Sequence, residues 1–502
     1  MRLDASHLDT YLLAGSAVTL LAILAVRLSS RAGLPSLLIY LLIGVLLGES
    51  VLGIEFENAE LTHALGFVAL ALILAEGGLT TSWEGMRPSL PLGAMLATVG
   101  VGVSVAVMAV AGHYLLGLPW ELSVLLGAVT SPTDAAAVFS VLRRVPLPSR
   151  LVATLESESG LNDAPTIVLV TLISTGAVAE HGPLVMGGIM VAELAGGLAV
   201  GVAVGFAGAW LMRRAALPAS GLYPIAALSL ALLAYAGGSA LHVSGFAAVY
   251  VAALVLGNLR LPHGPAIRSF AEGLAWLAQI GLFVMLGMLS SPGRIDIGTI
   301  GLALAAGLVL TAVARPLSVL VSNVVGRLTW QESAFVCWAG LRGAVPIVLA
   351  TIPLAEEVDG AERLFDLVFV LVVALTVLTA PTLPRVARVL RVARRSEPRG
   401  LEVEVAPLER VAADLLQVTI SPRSRLHGVE VGELRLPPGA SISMVIRGGQ
   451  TIVPEWRTVL RHGDDLLVVT PRSARRATEE RLRLVSAAGR LAGWRGADPT
   501  MG

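Results

Sequence analysis

Apolar segments of bilayer length recur through the first 390 or so residues of this 502-residue chain, and that repetition decides its fold class. A helix needs about 20 mostly apolar residues to cross a bilayer. Inside the hydrocarbon only helices or closed barrels satisfy their own backbone groups. Candidate spans run over 9–26, 34–53, 61–80, 89–115, 120–142, 149–178, 184–212, 221–241, 243–258, 267–289, 297–324, 330–352 and 364–389. The composition agrees: 55% of residues are hydrophobic and only 14% charged, against roughly 25% charged in a soluble domain. The reading is an all-α polytopic membrane protein with about 13 transmembrane helices, multi-pass in the cell inner (plasma) membrane. A disordered chain, a collagen-like repeat and a secreted disulfide scaffold are excluded, since the single cysteine, Cys337, can form no pair within the chain.

The 36 basic residues are all arginine and are balanced by 36 acids, so no net field draws the chain to nucleic acid. Arginines mark alternate loops: Arg27 and Arg31, Arg87, Arg143 with Arg144 and Arg150, Arg213 and Arg214, Arg260 and Arg268, Arg327, and the Arg385–Arg399 cluster. The intervening loops hold little beyond Arg294 and Arg363, and two are acidic, Glu55–Glu60 and Glu356–Glu362. The positive-inside rule therefore puts the N-terminus outside and the C-terminus in the cytoplasm. The first apolar run, ending at Arg27 with Asp4 and Asp9 offsetting Arg2, reads as a transmembrane helix and not as a cleaved signal.

Beyond the membrane-spanning unit of residues 1–395 the composition changes. Residues 396–411 read as a linker. Residues 412–485 read as a small cytoplasmic α+β module, with apolar stretches Leu415–Ile420, Ser441–Ile446 and Asp465–Val469 separated by Pro437-Pro438-Gly439 and Gly448-Gly449. The Arg- and Glu-rich segment 473–492 reads as a solvated helix, and residues 486–502 close the chain as a tail.

Polar groups inside the apolar spans carry the chemistry. Span 149–178 holds Glu156, Glu158 and Asp163. An Asp at the bilayer centre costs roughly 2.5–3.5 kcal/mol on insertion scales, so these acids must face protein or a water-filled cavity. Ser159 and Asp163 share one helix face, as do Glu158 and Asn162, and Glu156 lies two turns below Asp163. Carboxylate, hydroxyl and amide oxygens of this kind suit an alkali cation or a proton. Span 120–142 is interrupted by Thr130-Ser131-Pro132-Thr133-Asp134. Proline removes a helical hydrogen bond, and a helix broken at the midplane exposes carbonyls and helix ends to an ion. Arg342, within Gly340-Leu341-Arg342-Gly343-Ala344-Val345-Pro346, is buried by hydropathy and needs a carboxylate, with Glu158 the first choice and Glu156 the second. Arg315 and Glu76 are further intramembrane charges, each expected to pair with a neighbour.

Other signals are bland. Thr98-Val99-Gly100-Val101-Gly102 is similar to a potassium-channel filter but lacks its tyrosine and sits inside a long apolar run. The Gly197, Gly201, Gly205 spacing suits close helix packing. Histidines 63, 113, 181 and 242 fall near span ends. No HExxH pattern and no nucleophile set beside a histidine base is found, so the chain does not read as an enzyme.

Taken together, Ser131–Val138, the run Glu156-Ser157-Glu158-Ser159-Gly160-Leu161-Asn162-Asp163, and Gly340–Pro346 resemble the NhaP-type branch of the monovalent cation:proton antiporters. The likeness covers most of residues 9–390, and the extended acidic motif looks most like the potassium/proton members. Residues 412–472 are similar to the C-terminal (TrkA-C-like) lobe of regulator-of-potassium-conductance domains, through Val418–Ile420, Leu434–Pro437 and Gly463–Val469. No Gly-rich nucleotide turn precedes that lobe, so neither NAD nor any other cofactor is expected. The resemblance implies that Asp163 alternately binds cation and proton, with oxygens from Asp134, Ser159 and the Thr133 carbonyl. Glu158 would lie near the site and pair with Arg342, with Asn162, Glu156 and Glu76 supporting. It also implies inverted repeats, a homodimer, an elevator-like movement and a small regulatory ligand at the C-terminal lobe.

The expected activity is K+/H+ antiport by competition at one carboxylate, electroneutral because Asn162 is uncharged and Glu158 is balanced by arginine. Sodium (or lithium)/proton exchange is the alternative. A regulated potassium channel is the distant one.

Overall fold

The computed structural model describes residues 8–32, 34–48, 59–142, 145, 147–290, 292–393, 401–408, 413–422, 424–471, 473–489 and 492. Two compact units result, 1–394 and 395–502. Arg143, Arg144, residues 55–58 of the first acidic loop and the end of the tail lie outside the described residues.

Among the described residues, seven helices are individually long and apolar enough to cross a bilayer: Thr62–Thr80, Trp83–Tyr114, Leu184–Arg214, Leu222–Ala240, Gly264–Leu289, Ile297–Gly326 and Ala361–Val389. The pair Trp120–Thr130 and Ala135–Leu142, bent by 45°, makes an eighth. The other expected spans are present as helices with physical reasons for falling short. Leu37–Leu47 and Gly245–Asn258 are short, and Ser149–Ser174 carries the acids and arginine that lower its hydropathy. The expected span 330–352 is itself broken into Trp330–Trp338, Ala344–Leu349 and Thr351–Ala355. Apolar length alone had suggested one continuous helix there.

An internal repeat is visible in these irregularities. Trp83–Tyr114 contains a π-helical turn at Leu96–Gly100 and is followed by the broken helix 120–142 and by Ser149–Ser174. Ile297–Gly326 contains a π-helical turn at Leu310–Ala314 and is followed by the second broken helix and by Ala361–Val389. In the expected order these sets begin at the fourth and eleventh spans, an odd number apart, so the copies run in opposite directions. The two π-containing helices pack on each other. The hydroxyl of Ser318 lies 2.7 Å from the Gly100 carbonyl, and Ser104 Oγ is 2.8 Å from Ser318 Oγ. The channel-like Thr98–Gly102 run thus spends itself on a continuous helix and forms no filter.

The six helical segments of the repeat pack mainly among themselves, as do the helices 37–47, 59–80, 184–214, 222–240, 245–258 and 264–289. Unit 1–394 is therefore two bundles. In the second, Gly201 and Gly205 let the helix Leu184–Arg214 approach Gly245–Asn258 closely. A Cβ at Gly201 would stand 2.6 Å from the Ala248 carbonyl oxygen.

The C-terminal unit is a five-stranded antiparallel sheet of order β1-β2-β5-β3-β4, with β1 Leu401–Leu408, β2 Ala413–Ile420, β3 Ser441–Arg447, β4 Gln450–Ile452 and β5 Asp465–Pro471. β1 pairs with β2 along its length, so the segment expected as a linker over 396–411 instead supplies an edge strand. The run Leu401-Glu402-Val403-Glu404-Val405 alternates apolar and acidic residues with the period of a strand, which suits it to that edge. Gly448 and Gly449, both at positive φ, turn β3 into β4. The closing helix Arg475–Ala488 is amphipathic and not wholly solvated: Leu482 and Val485 enter the same core as Leu416, Val418, Leu466 and Val468.

Candidate cation and proton site

Two broken helices cross in the middle of the repeat. At the first break, residues 131–134 are not helical, and the amide of Asp134 donates to the Leu341 carbonyl in the second break at 2.9 Å. Gly343 permits this approach, since a Cβ there would stand 2.6 Å from Asp134 Cγ and 2.8 Å from its Cβ. Helix breaks leave carbonyls and amides without intrahelical partners, and each must be satisfied when buried. Arg342 serves the carbonyl end: its Nη1 donates to Ser131 O at 2.6 Å and Pro132 O at 2.8 Å. A positive charge also complements the negative end of the helix Trp120–Thr130. At the amide end, Asp134 Oδ1 accepts from Ala137 N at 3.1 Å, and Ser159 Oγ accepts from Ala135 N at 3.2 Å.

The helix Ser149–Ser174 lies against this crossing and brings its own polar face. Asn162 donates through Nδ2 to Thr133 Oγ1 at 3.0 Å, and both residues are buried. Asp163 is 7% exposed, and its Oδ1 has no hydrogen-bond partner, nor has Asn162 Oδ1. The bonds Asn162 to Thr133 and Ala135 to Ser159 hold the helix of Asp163 against the break that carries Asp134. The structure thus brings together Asp163, Asp134, Ser159, Thr133 and Asn162, five of the residues singled out from sequence.

The arginine pairing expected from sequence is corrected. Glu158 meets Arg315, not Arg342, in a two-pronged ion pair: Arg315 Nη1 donates to Glu158 Oε1, and Nη2 donates to Oε2 at 2.9 Å and to Val336 O at 3.2 Å. Both side chains are buried, at 5% and 2% exposure. Arg315 follows the π-helical turn Leu310–Ala314, a local irregularity that a reading of apolar spans does not register. Arg342 is spoken for by carbonyls because its own segment is broken, and the paired glycines Gly340 and Gly343 with Pro346 are the signal that marks that break.

Glu156 and Glu76 lie apart from the crossing. Both are half-buried, and neither forms an ion pair among the described residues. Glu76 accepts from Thr80 Oγ1 at 3.4 Å.

Residues 16–389 match the transmembrane sodium/hydrogen exchanger family. The chain belongs to the sodium/hydrogen exchanger family. That family is one of transporters, in keeping with a sequence that carries no enzyme signature. Residues 415–483 match the TrkA-C domain. Over 463 residues the chain is 37% identical to the K(+)/H(+) antiporter NhaP of Alkalimonas amylolytica, covering 90% of this chain and 79% of that one. It is 34% identical over 476 residues to the K(+)/H(+) antiporter NhaP2 of Shewanella oneidensis, covering 93% and 82%. The fold is that of the sodium proton antiporter MjNhaP1 from Methanocaldococcus jannaschii, with a TM-score of 0.67 at 23% identity over 76% of this chain and 99% of that one.

Proposed function

We propose that this exchanger carries K+ in one direction and H+ in the other across the plasma membrane, with both ions competing for the Asp163 carboxylate. One observation carries the reading: a buried carboxylate with an unpartnered oxygen lies at the crossing of two broken helices, beside the oxygens of Asp134, Ser159 and Thr133. A carboxylate in that position must either hold a proton or be neutralised by a cation, because burying its bare charge is costly. Proton and cation therefore exclude one another. If only the loaded forms change their facing, exchange follows by linkage.

The charges at the crossing support electroneutral exchange. Glu158 is balanced by Arg315, Asn162 is neutral, and Asp134 and Arg342 are one of each sign. Asp163 is left as the one group whose charge is answered alternately by K+ and H+. Potassium is favoured over sodium by the two relatives at 34% and 37% identity, whose names are K(+)/H(+) antiporters. The arginine alternation supports an outside N-terminus and a cytoplasmic TrkA-C domain. The apolar outer faces of the helices Leu8–Ala32 and Leu184–Arg214, with Leu184, Val191, Phe206 and Trp210 exposed, suit lipid and a homodimer contact. The TrkA-C domain is read as a regulatory lobe for a small ligand.

The test is Asp163→Asn in proteoliposomes. The variant inserts and folds but exchanges no K+ for H+. Wild-type exchange by a folded Asp163→Asn protein contradicts the assignment.

A further inference from the structure

Beside the crossing lies a small cavity that the exchange site does not use. It is bounded by the π-helical turn Leu310–Ala314, by residues 337–342 at the second break, and by Leu375 and Thr379 of the helix Ala361–Thr379. Its free space suits about one water molecule or small ion. Arg315 and Arg342 both line it, and both are buried, at 5% and 2% exposure. Their outer nitrogens are engaged: those of Arg315 on Glu158 and the Val336 carbonyl, and Nη1 of Arg342 on the Ser131 and Pro132 carbonyls. The Nε–H of each guanidinium has no hydrogen-bond partner among the described residues. Gly340 leaves room at the first of these, since a Cβ there would stand 2.8 Å from Arg315 Nε and 3.4 Å from its Cζ.

The charges at the cavity are unequal. Both oxygens of Glu158 are taken by Arg315. Arg342 forms no ion pair among the described residues, and the Asp134 carboxylate accepts from the Ala137 amide instead. A buried charge without a counter-charge is costly, as is a buried donor without an acceptor. We propose that the cavity binds a small monovalent anion, chloride in the cell, between the Nε–H groups of Arg315 and Arg342. Charge-assisted N–H donors recognise such an ion. Water would satisfy the two N–H groups and leave the Arg342 charge unanswered. The anion lets Arg342 keep its charge on the Ser131 and Pro132 carbonyls while enclosed. It stays seated as the exchanger turns over, so it adds nothing to the one-for-one exchange. The site stands whichever cation Asp163 carries.

Anion-dependent stability of the purified full-length protein tests the site, because a ligand held only by the folded state raises its stability. The thermal unfolding midpoint in micelles is followed as chloride replaces gluconate at constant K+ and ionic strength. Chloride should raise the midpoint along a single saturable curve, and bromide should do the same. In Gly340→Ala the added Cβ takes the space beside Arg315 Nε. Losing one charge-assisted hydrogen bond should raise the chloride concentration for half effect by about tenfold or more. A wild-type midpoint indifferent to chloride overturns the proposal and leaves water in the cavity. Equal half-effect concentrations in wild type and folded Gly340→Ala overturn it too, by placing the anion elsewhere. If Gly340→Ala does not fold, bromide anomalous scattering from wild-type crystals decides. A peak against both guanidinium groups upholds the site, and no peak there overturns it.

Discussion

Glu158 and Arg315 are the buried pair on which the stability of the crossing depends, and a double-mutant cycle measures how much. Glu158→Gln leaves the Arg315 guanidinium with a neutral partner and the Val336 carbonyl, at a site only 5% exposed. Breaking a buried ion pair by removing one partner costs about 3–5 kcal/mol. Because the pair is two-pronged, Glu158→Gln and Arg315→Met should each lose most of that, and the double variant should lose far less than their sum. The coupling energy expected is about 2–3 kcal/mol, near the top of the range for contacting residues. Arg342 donates to Ser131 and Pro132 carbonyls instead, so the Glu158→Gln, Arg342→Met cycle should couple by about 0.5–1 kcal/mol, through charge alone. Equilibrium unfolding of the purified full chain in mixed micelles reads both cycles. A larger coupling of Glu158 to Arg342 than to Arg315 refutes the pairing and restores the one that sequence suggested.

Gly343→Ala forces a Cβ against the Asp134 carboxylate. It should cost about 1–3 kcal/mol in stability and reduce K+-driven exchange in proteoliposomes far more than it reduces the folded yield. In the C-terminal unit, burial opposes the charge of Asp464, yet bidentate bonds from Arg447 at 2.8 Å and the Arg461 amide hold its carboxyl below the usual carboxylate range. A carboxyl depressed on folding stabilises fully above its unfolded value, about 3.9, and this stabilisation is lost as pH falls through the lower folded value. Asp464→Asn should therefore weaken hydrogen-exchange protection of β5 by about 1.5–3 kcal/mol at pH 7 and flatten its acid dependence. An acid profile unchanged from wild type would contradict this. Deleting residues 395–502 should leave exchange in place and alter its dependence on pH or added ligand. A folded, truncated protein with no exchange under any condition contradicts a purely regulatory lobe.

The sequence made the acids and the first break legible because a carboxylate or a Pro-Thr-Asp run inside an apolar span is costly and therefore conspicuous. Asp163, Asp134, Ser159, Thr133 and Asn162 could be named for that reason. The second break was not legible in the same way: Gly340–Gly343 is apolar apart from Arg342, so hydropathy runs straight through it. The consequence was a misassigned partner for Glu158, since Arg342 looked unsatisfied while the carbonyls that satisfy it were hidden in the other broken helix. Arg315 sits beside Glu158 only because of helix packing between positions 157 residues apart in the chain. Strand β1 is announced by the alternation Leu401-Glu402-Val403-Glu404-Val405, a signal that a linker reading of 396–411 leaves unused.

The central claim is one-for-one exchange of K+ and H+ at Asp163, and proton flux in proteoliposomes under a clamped membrane voltage tests it most directly. With a preset proton gradient, added K+ should move protons at a rate independent of the clamped voltage, with Na+ or Li+ less effective and choline inert. Proton movement driven by Na+ or Li+ and not by K+ would contradict the cation. A voltage-dependent rate would contradict the charge balance at the crossing. No proton movement with any cation would contradict antiport itself.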